Sequence, residues 1–129
     1  MSEKELCRMA MDMLGHAYIP YSHFAVGAAL ECEDGTVFTG CNIENAAYGP
    51  TICAERVAIF KAVSEGHRDF KRIAVAGRTD YCVPCGVCRQ VMREFCSDDF
   101  EIICLNGQGD ARRFRLGQLL PFSFSADML

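Results

Sequence analysis

Apolar residues near the N-terminus recur every three or four positions. The recurrence extends from Leu6 to Ala17 and is typical of one face of a helix that packs on a core. Ser2 precedes two acidic residues and is suited to capping that helix, and Pro20 is expected to end it. We therefore predict that the chain begins with a helix whose role is packing.

The rest of the chain switches between strand-like and helix-like spacing. Residues 24–30 and 37–39 flank a turn signal and are predicted to pair as a β-hairpin. Helical spacing follows Cys53 and Cys85, and short apolar runs at 73–76 and 100–105 are typical of strands covered on both faces. With a weaker last strand, this order predicts an α/β fold: a three-layer α/β/α sandwich around a mixed, mostly five-stranded sheet.

Length and charge exclude several classes of protein. The chain has 129 residues and 50% hydrophobic positions, so we expect one domain over residues 1–129. A net charge of -4 argues against binding to nucleic acid or to an anionic membrane, and the arginines at 112, 113 and 115 are expected to form a solvated face. No signal-like or membrane-spanning apolar run is visible, so a cytoplasmic location is expected.

The cysteines are the residues with the clearest chemical use. There are nine, an odd number without an export signal, so a disulfide framework is not expected. Cys53 lies at the predicted start of one helix, and Cys85 and Cys88 lie at the start of another. Free N–H groups and the positive end of the helix dipole favour thiolates at such positions. Two helix N-termini that face each other would hold a soft divalent metal ion.

Three candidate thiol ligands favour a catalytic zinc site. Structural zinc is usually closed by four protein ligands, whereas catalytic zinc keeps its fourth position for water. Glu55, in the first turn after Cys53, is placed to act on that water as a proton shuttle. Arg56 is placed to offset the negative charge that three thiolates leave around a divalent ion.

A fourth cysteine keeps a different kind of site open. Cys82, Cys85 and Cys88 form a run like part of an iron–sulfur motif, although Met92 stands where the bacterial pattern has its next cysteine. Cys82 could also close a structural zinc site in a protein without enzymatic activity. Either arrangement would leave Glu55 without a role.

Two motifs, Cys53-Ala54-Glu55-Arg56 and Pro84-Cys85-Gly86-Val87-Cys88, resemble elements of a known family, the small homotetrameric zinc-dependent cytidine deaminases. The resemblance covers nearly the whole chain. It includes residues 21–27, 40–48 and 88–90, and Leu119-Leu120-Pro121 with Phe124. Val83 departs from the serine or threonine that often precedes the Pro-Cys pair in this family.

The resemblance implies a defined reaction. Cytidine and 2′-deoxycytidine would be hydrolysed to uridine and 2′-deoxyuridine with release of ammonia, a step of pyrimidine salvage. A zinc ion in each subunit would present hydroxide to C4 of the base, and Glu55 would carry protons to N3 and then to the departing amine. Editing of a polynucleotide is the rival reaction, and the acidic charge and the compact chain disfavour it.

The resemblance also implies which residues hold the nucleoside within one subunit. Asn42 and Glu44 would bind the ribose 3′-hydroxyl, and Phe24 would pack against the nucleoside. The backbone N–H of Ala54 would meet the base carbonyl.

Other residues would act between subunits. By the same resemblance, Phe124 would stack on the base bound by a neighbouring subunit, and Ala46 and Tyr48 would lie near a subunit boundary. We therefore expect a homotetramer with shared active sites, whose partner is a small nucleoside.

Overall fold

The elements follow the order that the apolar periodicity predicts. The computed structural model describes residues 1–129 and includes two short 3₁₀ turns, at Met13–His16 and Ala126–Met128. The main elements are α1 (Glu3–Asp12), β1 (Val26–Cys32), β2 (Val37–Cys41), α2 (Ala54–Ser64), β3 (Phe70–Gly77), α3 (Gly86–Phe95), β4 (Glu101–Leu105), β5 (Ala111–Arg115) and α4 (Leu116–Leu119).

The five strands form one mixed sheet in the order β2-β1-β3-β4-β5. Strands β3 and β4 are parallel, with Ile73 opposite Ile102, and the other neighbouring pairs are antiparallel. The connection between the two parallel strands carries α3, as a parallel crossover requires. The mixed five-stranded sheet predicted from the sequence is therefore confirmed.

Helices cover both faces of the sheet. On one face α2 and α3 pack over a large core that includes Leu30, Ile73 and Ile102. On the other face α1 packs over a smaller core in which Ala29, Ala74 and Ala76 leave room for the helix. The central strands are thus buried on both sides, which explains the apolar runs at 73–76 and 102–105. None of the helices is long and apolar enough to cross a bilayer.

Helix α1 starts as predicted but ends earlier than expected. The Ser2 hydroxyl accepts a hydrogen bond from the Glu5 amide at 3.1 Å, which caps the helix. The α-helix ends at Asp12 and a 3₁₀ turn ends at His16, well before Pro20. The amide of Tyr18 already donates to the carbonyl of Asn42 at 3.0 Å. The chain leaves the helix to make this contact, so Pro20 is not the terminator.

Strand β2 and helix α2 touch through a glycine. A Cβ at Gly40 would overlap the carbonyl oxygen of Ala54 and would lie 2.7 Å from the Ala58 nitrogen. Only glycine permits this approach. The contact fixes the first turn of α2, which follows Cys53.

The edge strand β5 carries the arginines predicted to form a solvated face. The Arg112 guanidinium lies 4.1 Å from the centre of the Tyr81 ring, and Arg113 pairs with Glu3 of α1. Arg115 lies 3.7 Å from an Asp99 carboxylate oxygen. These arginines have local partners within the chain.

Candidate active site

The predicted metal-binding cysteines lie where two helices begin. Cys53 is the N-cap residue of α2 and Cys85 is the N-cap residue of α3, and neither side chain caps its own helix. Both thiols are therefore free to face each other. Cys88 follows in the first turn of α3 and is fully buried.

The three sulfur atoms have the spacing that one zinc ion requires. The Sγ atoms of Cys53 and Cys85 are 3.7 Å apart, and those of Cys85 and Cys88 are 3.6 Å apart. All three lie within 4.8 Å of one another. Tetrahedral coordination with Zn–S bonds of about 2.3 Å places sulfurs roughly 3.8 Å apart, so this donor set fits zinc. Cys82 is not part of this group, and the geometry gives no support to a site with four thiols.

The thiols do not hold their protons equally. A hydrogen bond from Cys88 and another from the Arg56 guanidinium lower the pKa of Cys53 to about 5. The Arg56 Nη2 atom lies 3.5 Å from the Cys53 sulfur. The hydrogen bond that Cys88 makes to Cys53, together with burial, raises the pKa of Cys88. Of these two thiols, Cys53 is therefore the one whose negative charge its neighbours favour.

Glu55 is a buried acid beside these thiols. Its residue surface is 3% exposed, and it lines the same cavity as Cys53 and Cys85. Burial, together with the nearby charge of Cys53, raises its pKa to about 7. A carboxyl group with this pKa can both accept and release a proton near neutral pH.

A cavity of about 420 Å³ joins the thiols to the residues expected to hold a nucleoside. Its lining includes Phe24, Asn42 and Glu44 together with Glu55. Ala54 lies between Cys53 and Glu55 at the start of α2. The structure thus brings the residues expected to hold the nucleoside's sugar and ring, Phe24, Asn42 and Glu44, to the same cavity as two of the thiols and the acid.

Asn42 and Glu44 organise the chain segment that carries Phe24. The Asn42 side chain accepts from the Val26 amide at 2.9 Å and donates to the Phe24 carbonyl at 2.7 Å. The Glu44 carboxylate accepts from the amides of Tyr21 and Ser22 at 3.0 and 3.1 Å, and also from the Ser22 hydroxyl. The Ser22 hydroxyl is the main cause of the lowered pKa of Glu44.

Comparison with known proteins identifies the family of this chain. The family model described as "Cytidine and deoxycytidylate deaminase zinc-binding region" matches residues 1–104. The chain belongs to this deaminase family. A cytidine deaminase of Halalkalibacterium halodurans is 50% identical over 128 residues, which cover 98% of this chain and 97% of the relative. One of Sporosarcina psychrophila is 54% identical over 114 residues, which cover 88% and 84%.

The fold agrees with this deaminase family as well. The crystal structure of a cytidine deaminase from Burkholderia pseudomallei superimposes with a TM-score of 0.92 at 48% identity. The superposition covers 96% of this chain and 100% of the other. The α/β fold predicted from the order of helices and strands is therefore confirmed.

The three residues expected to act between subunits do not line the cavity of the single chain. Phe124 is 56% exposed and is not among the residues that line the cavity. Ala46 and Tyr48 lie on the exposed loop before α2, where Tyr48 is 73% exposed and has a φ of 60°. Within one chain, these side chains do not complete the cavity.

Sequence reasoning missed part of the deaminase cavity. Ser22, Cys82 and Val83 also line it. Ser22 lies within the matched stretch 21–27, but its hydrogen bond to Glu44 joins residues 22 positions apart and has no local signal.

Proposed function

We propose that this chain catalyses the hydrolytic deamination of cytidine and 2′-deoxycytidine to uridine and 2′-deoxyuridine, with release of ammonia. The reaction would serve pyrimidine salvage. The curated relatives at 50% and 54% identity are cytidine deaminases, which supports this assignment. The nine cysteines are all free, as is usual in a reducing compartment, and the proposal places the enzyme in the cytoplasm.

One observation carries the proposal. Three thiols from two helix N-termini and the buried Glu55 lie at one end of a cavity whose other walls include Asn42 and Glu44. Burying a carboxyl group costs free energy. A module that only binds metal would gain nothing in return for a buried acid beside the thiols. The cost of burying Glu55 is explained if it moves protons during a reaction.

The residues of the chain have separate tasks in the reaction. When bound by the three cysteines, zinc supplies the Lewis acidity that activates water near neutral pH. Glu55 takes a proton from the attacking water and delivers it to N3 of the base. It then takes the remaining proton from the new C4 hydroxyl and gives it to the amine, so that ammonia leaves as the C4–N bond breaks and the C4 carbonyl forms. The Ala54 N–H is placed to hold the base carbonyl.

The sugar side of the cavity favours a free nucleoside. Asn42 and Glu44 bind the ribose 3′-hydroxyl, and Phe24 packs against the nucleoside. No lysine or arginine lines the cavity, although phosphate groups in protein sites are usually bound by such residues. With the net charge of -4, this supports a nucleoside over a polynucleotide as the substrate.

The first experiment compares the wild type with Glu55→Gln. Conversion of cytidine to uridine is followed by ultraviolet absorbance, and zinc and iron are quantified in both proteins. We expect turnover by the wild type, zinc in both proteins, and a loss of about 10²-fold or more in the variant. Full activity of Glu55→Gln would contradict the shuttle role, and uracil formation in single-stranded DNA would contradict the substrate assignment.

The proposal includes a homotetramer with shared sites. Phe124, Tyr48 and Phe122 are large apolar side chains exposed on the single chain, and Phe122 is 104% exposed. Large apolar side chains that are exposed on a single chain are commonly buried against other copies in an oligomer. Phe124 would stack on the base in a neighbouring site, and Ala46 and Tyr48 would lie at the boundary.

Co-expression of two defective variants tests whether neighbouring subunits share their active sites. Glu55→Gln lacks the shuttle but keeps Phe124, whereas Phe124→Ala keeps the shuttle. If Phe124 serves a neighbour, hybrid assemblies isolated through two different tags will be more active than either variant alone. Hybrids with no more than the averaged activity of the two parents would show that Phe124 serves its own subunit.

A further inference from the structure

Two adjacent residues of α3, Arg89 and Gln90, donate hydrogen bonds to backbone carbonyls outside the helix. One of these carbonyls belongs to the zinc-binding turn, which is residues 84–88. Arg89 donates from Nε to the Pro84 carbonyl and from Nη1 to the Leu119 carbonyl, both at 2.7 Å. Gln90 donates from Nε2 to the Phe124 carbonyl at 2.9 Å. Arg89 thus connects the residue before Cys85 to the end of α4, and Gln90 connects the same helix to the C-terminal segment.

The C-terminal segment has few other attachments. Between residues 121–129 and the rest of the chain, the bond from Gln90 to Phe124 is the only hydrogen bond. The other hydrogen bonds of the segment lie within it, as between Ser125 and Met128. The hydrogen bonding of this segment to the rest of the chain therefore depends on one exposed side chain of α3.

The Pro84 carbonyl likewise accepts a hydrogen bond from one side chain of α3, that of Arg89. Pro84 is fully buried and precedes Cys85, whose thiol faces Cys53. A buried carbonyl without a donor is costly, and Arg89 supplies a charged donor. The planar fork of arginine can hold two carbonyls at once, which a lysine ammonium does less well.

We infer that Arg89 and Gln90 are positioning residues that join the zinc-binding turn and the C-terminal segment into one unit. Arg89 holds the backbone before Cys85 in the geometry that the metal requires. Gln90 holds the backbone of Phe124. The role of Arg89 rests on the geometry of the thiols alone, whereas the effect of Gln90 on catalysis, through Phe124, rests on the proposed function.

Metal retention tests the role of Arg89. Zinc-loaded wild type, Arg89→Met and Arg89→Lys are mixed with a chromogenic chelator, and the rate of zinc transfer is measured. Loss of partners that orient metal ligands usually weakens metal binding by about 10–100-fold, so we expect zinc release from Arg89→Met to be at least about tenfold faster. Arg89→Lys keeps the charge and is expected to fall between the two.

Arg93→Met is the matched control. Arg93 lies one turn further along α3 and pairs with Asp98, without contact to the zinc-binding turn. We expect this variant to release zinc at the wild-type rate. Equal acceleration in both methionine variants would show a general effect of weakening α3, and wild-type release from Arg89→Met or from Arg89→Lys would overturn the proposal for Arg89.

Gln90→Glu tests the attachment of the C-terminal segment. Gln90 is exposed, so the variant is expected to fold, but a carboxylate cannot donate to the Phe124 carbonyl. We expect carboxypeptidase to remove Met128 and Leu129 several-fold faster from this variant, with no change in zinc release. Unchanged digestion would overturn the role of Gln90.

Kinetics then separate this inference from the proposed function. If Phe124 stacks on the base, Gln90→Glu will raise KM for cytidine several-fold with a smaller change in kcat, and Phe124→Ala will act in the same direction. Faster digestion with an unchanged KM would support the attachment but contradict the stacking role. If the wild type does not deaminate cytidine, zinc release and digestion still test both residues.

Discussion

Charge balance around the thiols depends on Arg56. Three thiolates on a divalent ion leave a net negative cluster, which weakens the ion as a Lewis acid. The Arg56 guanidinium donates to the Cys53 sulfur at 3.5 Å, while its buried Nε atom has no hydrogen-bond partner. A cation held this close withdraws negative charge from the sulfur and so restores part of the electrophilicity of the metal.

We expect Arg56→Ala to retain zinc weakly and to lose about 10–100-fold in kcat. Turnover of cytidine and zinc content are measured on the same preparation. Arg68→Ala, which removes an exposed arginine just beyond α2, serves as the control and should behave as the wild type. Full turnover by Arg56→Ala would show that charge neutralisation does not limit the reaction.

Residues close in sequence could be assigned from the sequence, whereas residues joined by folding could not. Cys53, Glu55 and Arg56 lie within one helical turn, so the sequence alone places them near one another, although Cys53 and Glu55 do not share one direction on the helix. Ser22 acts on Glu44 from a loop 22 positions away, and this pairing exists only once the segment before β1 folds over the loop after β2. No local periodicity encodes such a contact.

At the scale of elements, the packing of α2 on β2 sets where the site forms. Gly40 allows the strand to approach the first turn of the helix, and Cys53 and Glu55 lie in that region. The contact at Gly40 therefore packs β2 on α2 and also sets the positions of Cys53 and Glu55.

Gly40→Ala should lower the free energy of unfolding by about 2–3 kcal/mol, because overpacking shifts backbone atoms. Urea unfolding measures the loss, and the zinc content should fall with it. Gly15→Ala is the matched control, since a Cβ at Gly15 meets no atom within 4 Å and should change stability by no more than about 0.5 kcal/mol. Equal effects at both positions would mean that conformational freedom of glycine, and not contact, is responsible.

Element types were predictable and some element ends were not. The 3.6-residue and two-residue periodicities identify helices and strands because each element buries one side or both. The end of α1 was misplaced at Pro20, because the tertiary contact between Tyr18 and Asn42 draws the chain away first. Gly66 follows the last turn of α2 with a φ of 90°, a backbone conformation that favours glycine.

At the scale of the whole molecule, the metal site lies at the margin of the larger core, to which Cys88 belongs and against which Cys53 packs. The two cores on either side of the sheet are formed by apolar side chains from all the long elements, including Leu30, Ile103 and Leu105. Zinc would hold only the first turns of α2 and α3 together. The fold should therefore survive removal of the metal.

Zinc removal with a chelator should leave the far-ultraviolet circular dichroism unchanged while the melting temperature falls by about 10 °C or more. A ligand at 100 to 1,000 times its Kd contributes about 3–4 kcal/mol to the stability of the native state. Readdition of zinc should restore the melting temperature. Cys53→Ala should show no zinc-dependent shift, and global unfolding of the metal-free protein would contradict the independence of the cores.

The arginines of β5 have a consequence for how copies of this chain can meet. An uncovered strand edge normally invites another strand to continue the sheet. Two copies joined edge to edge at β5 would bring Arg112, Arg113 and Arg115 of one chain against the same residues of the other. Like charges at such short range repel, and each arginine would have to be shared with its acidic or aromatic partner within the chain, so growth of a continuous intermolecular sheet, the first step toward a fibril, is disfavoured along this side of the molecule.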